Sequence, residues 1–108
     1  MPTPIHPVSR LESDARAAAD LLRVLANEHR LQVLCALRTG ELSVGRLAER
    51  VGLSQSALSQ HLARLRSDRV VATRRQGQTI FYSIADPDAL CLIEALAGVM
   101  QRRRGEGG

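Results

Sequence analysis

The stretch GELSVGRLAERVGLSQSALSQHLARLRSD, Gly40 to Asp68, decides how this chain is read. Ser43 is a good N-cap, and Val44, Leu47, Ala48 and Val51 fall on one face of the short helix it would start. Gly52 stops that helix. Ser54 caps a longer one, in which Leu58, Leu62 and Leu65 recur at i, i+4 and i+7. Glu41 to Asp68 thus predicts a short helix, a turn centred on Gly52-Leu53-Ser54, and a longer helix: a helix-turn-helix. Leu47, Val51, Leu58 and Leu62 are expected to fix the angle between the two helices. The outer face of the second then presents Gln55, Ser56, Ser59, Gln60 and Ala63.

Outward from this centre, the pattern stays helical upstream and changes period downstream. Met1 to Arg10 holds three prolines and no periodicity, and is expected to be a flexible arm (residues 1–10). A first helix is predicted from about Glu12 to Leu25, with Ala17, Ala18, Leu21, Leu22 and Leu25 on one face. Asn27 caps a second, through about Thr39, with Leu31, Val33, Leu34 and Leu37 as its apolar face. After Asp68, Val70 to Arg75 alternates like a strand, Gln76-Gly77 reads as a turn, and Gln78 to Ile84 as the returning strand. Asp86-Pro87 is an N-cap followed by proline at the first helical position. The closing helix is expected to run to about Arg103, and Gly105 to Gly108 to form a disordered tail. The fold class is mainly α with a two-stranded β-wing, in the order ααααββα, as one domain over residues 11–104 of the 108-residue chain.

Charge and composition narrow the function. Hydrophobic residues make up 44% and aromatics only 2%, Phe81 and Tyr82, which suits helices packed through Leu, Ala and Val. The net charge is +4, and residues 54–85 alone carry 5 Arg against one acid. A localised basic field suits a polyanion, since nucleic-acid affinity comes largely from neutralising phosphate. The basic residues are all Arg; Arg gives bidentate contacts, but the lack of Lys throughout reads as compositional bias rather than selection at one site. On the second helix of the helix-turn-helix, Gln55, Ser56, Ser59 and Gln60 are groups that hydrogen-bond base edges, Gln fitting adenine in particular. The first turns of such a helix reach the bases, and its N-terminus favours phosphate. His61 and Arg64 on the same helix, and Arg74, Arg75 and Gln78 around the hairpin turn, complete the candidate DNA-contacting set. No apolar run approaches the roughly 20 residues of a membrane span. No secretory signal is read in the first residues, so the expected compartment is the cytoplasm.

The segments LLRVLANEHRLQVLCAL (residues 21–37), residues 40–66 of the opening stretch, and VVATRRQGQTIFYSI (residues 70–84) resemble the winged helix-turn-helix repressors of the ArsR–SmtB family. The resemblance covers roughly residues 16–100, and Val51 to Arg66 is close to the NolR-like and BigR-like members. It implies a homodimer held by the first and last helices. It also implies binding to an imperfect inverted repeat in double-stranded DNA, and repression until an inducer releases it. Two-fold symmetry would set the recognition helices about one DNA turn, ~34 Å, apart. The stripe Leu90, Ile93, Leu96, Ala97 and Met100 suits either such an interface or internal packing.

The resemblance also frames the sensing chemistry. Metal-sensing members carry cysteines at the start of the helix-turn-helix, where this chain has Ser43 and Gly45. Others hold zinc between closing helices through Asp and His, whereas here no His follows His61, and Asp86 and Asp88 read as capping acids. No metal or other cofactor is therefore expected. Cys35 matches one cysteine of the sulfur- and redox-sensing members. Their second lies where this chain has about Gln101; Cys91 is ten residues earlier, roughly 15 Å along a helix. A direct bridge needs Cα atoms within about 7 Å, so Cys35 and Cys91 are not expected to pair. Each reads either as a thiol sensor or as a small core hydrophobe. His6 falls in the arm and His29 in the first turn of the second helix, while His61 is a candidate phosphate contact.

The sequence leaves three function classes to separate. The first is a sequence-specific dimeric repressor, with thiol sensing at Cys35 as a variant of it. The second is a winged-helix protein–protein module that no longer binds DNA, which would carry acids or large apolar groups on the recognition face. The third, an enzyme, lacks any nucleophile–base arrangement, phosphate loop or carboxylate pair.

Overall fold

The computed structural model describes residues 7–106. Five helices and three short strands follow in order: α1 Pro7–Leu25, α2 Glu28–Leu37, β1 Leu42–Ser43, α3 Val44–Val51, α4 Gln55–Ser67, β2 Val71–Gln76, β3 Thr79–Ile84 and α5 Pro87–Arg103. The predicted caps are in place. Asn27 Oδ1 accepts from the amides of His29 and Arg30, Ser43 from Arg46, Ser54 from Ala57, and Asp86 from Asp88. Each satisfies amides that a helix start leaves without partners. Gly52 closes α3 at φ 77°, a left-handed geometry that any side chain would strain.

Several features differ from the sequence reading, among them the end of α2, which stops at Leu37 and not near Thr39. α1 begins at Pro7, not near Glu12, because proline suits a first helical position even without apolar periodicity behind it. Of the expected arm, Pro7 to Arg10 is helical, and residues 1–6 lie outside the described residues. At the other end, Gly105 at φ 77° and Glu106 close α5. The Glu106 amide donates to Gln101 O and the Gly105 amide to Arg102 O, a helix-closing pattern rather than a frayed tail. Residues 107–108 lie outside the described residues. Lastly, the two-stranded wing, β2 and β3, gains a short third strand at the edge of its sheet. Leu42 and Ser43 pair with Tyr82 and Phe81, giving an antiparallel sheet in the order β1-β3-β2. Two residues are too few to carry an alternating pattern, so β1 was hidden in the sequence.

The core lies where α2, α3, α4 and the root of the hairpin meet. Leu34, Leu47, Leu58, Leu62, Leu65, Val33 and Val70 are its fully buried large side chains, each worth about 1.5–3 kcal/mol of burial. α1 is different: of its 19 residues only Val24 and Leu25 are buried. Its last turn is tied to α2 by Arg30, whose guanidinium donates to Val24 O at 2.5 Å and Arg23 O at 3.2 Å. Arg38 and Glu94 link α2 to α5 at 3.5 Å.

Candidate nucleic-acid interface

α4 has two faces that follow from its sequence. Leu58, Leu62 and Leu65 are 0–1% exposed and seat it on the core. Gln55, Ser56, Ser59, Gln60 and Ala63 are all exposed on the opposite arc, as expected. Ser54 Oγ lies 3.1 Å from the Ala57 amide and 3.2 Å from Ser56 Oγ, so the two hydroxyls mark the start of the helix together. Gln55 Nε2 lies 3.7 Å from where a Cβ on Gly45 would stand, which places this side chain at the α3–α4 junction.

Two other α4 residues are less free than the sequence suggests. His61 is half-buried, its ring 5.4 Å from that of His29 on α2 and tilted by 46°. Partial burial, then the adjacent His29 and Arg30, hold His61 below the ordinary imidazole pKa. Arg64 donates through Nε to Asp68 Oδ2 at 2.7 Å, one turn along the helix.

The hairpin turn is Gly77-Gln78, one residue later than expected, with Gln76 paired to Thr79 and Gly77 at φ 61°. Glycine at the first position of a two-residue loop is what such a reversal needs. Gln78 therefore sits in the turn, exposed, not in the strand. Arg75 Nε donates to Gly77 O at 3.0 Å, which keeps this exposed cation at the wing tip. Arg74 is engaged elsewhere. Its Nη2 and Nε reach the two carboxylate oxygens of Glu41 at 2.5 and 3.2 Å, and its guanidinium lies 4.6 Å from the centre of the Phe81 ring.

Sequence reasoning missed a groove between α4 and β3, lined by Ser59, Ala63, Arg66, Ser67 and Tyr82. It connects the outer face of α4 to the sheet. Ser59 and Ala63 were read as outward, but the groove itself had no local signal, because the approach of Tyr82 depends on how the hairpin folds back.

The cysteines also differ from the core reading. Cys35 and Cys91 are both exposed free thiols. Cys35 lines a groove between α2 and α5 with Arg38, Ile93, Glu94, Ala97, Gly98 and Gln101; Cys91 does not line it. Among the described residues, no three His, Cys, Asp or Glu side chains converge as a metal site would require. No helix among them is long and apolar enough to cross a membrane.

The expected α5 stripe divides. Ile93 turns into the core, Leu90 is half-buried, and Leu96 and Met100 are 41% and 43% exposed. With Val99 on α5 and Leu22 on α1, Leu96 borders an apolar groove that runs between α1, α2 and α5.

A seated helix with an outward polar arc, a short helix crossing behind it and a basic hairpin alongside define a winged helix-turn-helix transcription regulator. Residues 27–73 match the family model described as "Bacterial regulatory protein, arsR family". The Transcriptional activator HlyU of Vibrio cholerae is 49% identical over 89 residues, 82% of each chain. The Nodulation protein NolR of Rhizobium meliloti is 49% identical over 86 residues, 80% of this chain and 70% of that one. The crystal structure of the transcriptional repressor BigR from Xylella fastidiosa superposes with a TM-score of 0.82 at 37% identity, over 87% of this chain and 96% of that one. The chain belongs to the arsR family of bacterial regulators, and is a DNA-binding transcription regulator.

Proposed function

We propose that this chain is a homodimeric repressor that binds an inverted-repeat operator and is released by an inducer, acting in the cytoplasm. The observation that carries the reading is the division of α4, with Leu58, Leu62 and Leu65 buried and Gln55, Ser56, Ser59 and Gln60 exposed. The seat fixes the helix; the polar arc reads base edges. Arg75 and Gln78 at the wing tip and Arg66 beside the α4 groove supply backbone contacts. Arg64, Arg74 and His61 lie in the same region, each already in contact with another side chain of this chain. The dimer is assigned to α1 and α5, because α1 buries only its last turn and the apolar groove beside Leu96 is open. Solved and curated relatives bear both names, activator and repressor. Repression is the simpler mechanism, needing only occupancy of a promoter-proximal site.

The test is hydroxyl-radical footprinting on the chain's own upstream region, with random DNA as competitor. Two protected half-sites with centres about one helical turn apart are expected. Uniform protection, or none, would remove the repressor reading. A second reading, thiol control at Cys35, is favoured by that residue's exposure in the α2–α5 groove. Mass spectrometry after persulfide or peroxide treatment, with operator binding measured in parallel, tests it. Modification of Cys35 with unchanged binding would refute it.

A further inference from the structure

We propose that Arg74 is a positioning residue of the wing and Glu41 its anchor. The pair straps the three-stranded sheet so that the hairpin keeps one angle to α4, leaving Arg75 as the wing cation that meets phosphate. This rests on the DNA-binding reading above and assigns roles within it.

The strap spans the whole sheet. Glu41 immediately precedes β1, Arg74 is on β2, and Phe81, directly opposite Arg74 in register, is on the strand between them. The guanidinium crosses that central strand over the Phe81 ring to reach a carboxylate 33 residues away in sequence. Its remaining terminal nitrogen donates to Gln76 Oε1 at 2.9 Å. Forked Arg–carboxylate contacts are directional as well as strong, and the ring adds a cation–π contact. An exposed ion pair alone is worth little; a fork lying on a ring and spanning three strands fixes an angle. Each group also holds the other in its charged form: the hydrogen bond from Arg74 lowers the Glu41 pKa, and the bond to Glu41 raises that of Arg74. With its charge matched by Glu41, Arg74 adds little net field towards DNA. Its neighbour Arg75 makes no ion pair among the described residues and bonds only to a backbone carbonyl.

The test is the salt dependence of operator binding by the full chain, with folding checked by circular dichroism. The variants are Arg75→Gln, Glu41→Gln, and the charge-neutral double variant Glu41→Gln/Arg74→Gln. Arg75→Gln should flatten the plot of log K against log salt by about 0.9 per subunit. The double variant should keep the wild-type slope, bind about twofold to fivefold more weakly, and lose hydroxyl-radical protection on the backbone flanking the α4 contacts. Glu41→Gln should also weaken binding, although it removes an acid from a surface that faces DNA. The positioning role is overturned if the double variant flattens the slope as Arg75→Gln does, if it binds with unchanged affinity, or if Glu41→Gln binds more tightly. Failure of the wild-type chain to bind DNA would instead remove the DNA-binding reading itself.

Discussion

Truncating Leu96 tests the dimer assignment quantitatively. Leu96 is 41% exposed on α5 and borders the apolar groove shared with α1 and α2. Complete burial of such a side chain is worth about 1.5–3 kcal/mol. The exposed two-fifths therefore holds about 0.6–1.2 kcal/mol per subunit that only a partner can supply. A two-fold interface counts the residue twice, so Leu96→Ala should weaken the dimer by roughly tenfold to fiftyfold. Leu96→Glu adds the cost of burying two carboxylates, several kcal/mol each, and should leave a monomer at micromolar concentration. Sedimentation equilibrium measures both, and the Leu96→Glu monomer should protect half-sites only at much higher concentration. Glu94→Gln is the control: its partner is Arg38 of the same chain, and both are about half exposed. If Leu96→Ala shifts the dimer constant by less than about threefold and Leu96→Glu stays dimeric, the interface lies elsewhere.

Three further outcomes are expected. Leu58→Ala, at a site with no exposure, should cost about 2.7–5 kcal/mol in urea unfolding; a loss below about 1 kcal/mol would show that α4 is not held by this seat. Asn27→Ala leaves the His29 and Arg30 amides uncapped and should cost about 1 kcal/mol, read as a lower thermal midpoint with operator affinity unchanged well below it. His61 titrates below its ordinary value in the folded protein because of burial and then His29 and Arg30, so the unfolded chain binds that proton more readily. Stability should fall as pH drops through about 6.5. NMR titration should place the His61 midpoint below that of a model peptide, and a His61→Gln variant with an identical acid-side loss would refute the cause.

What the sequence disclosed follows the range of the forces involved. Asn27, Ser43, Ser54 and Asp86 act on amides two or three residues away, and all four caps stand where they were read. The i, i+4, i+7 spacing of Leu58, Leu62 and Leu65 located the seat of α4 for the same reason. Contacts that depend on the folded chain were not legible. Nothing local ties Glu41 to Arg74, or brings Tyr82 to the groove beside Ser59 and Arg66. His61 lay among the outward residues by position, yet the 5.4 Å approach of His29 depends on how α2 crosses α4. The cysteines were hardest: each read either as a thiol sensor or as a core hydrophobe, and only the folded chain puts both thiols on the open side of their helices.

Ser43 is both the last residue of β1 and the N-cap of α3. No spacer separates β1 from the helix that supports α4, and the Glu41–Arg74 strap ties the hairpin to that same edge of the sheet, taking up the freedom the wing would otherwise have. Each half of a dimer then meets DNA as a rigid stamp. A signal that releases the operator has little to deform within the stamp. Its effective lever is the distance and tilt between two stamps, which α1 and α5 would set. Inducers of such a protein should therefore change the spacing of the two heads while leaving the affinity of each for a single half-site nearly as it was.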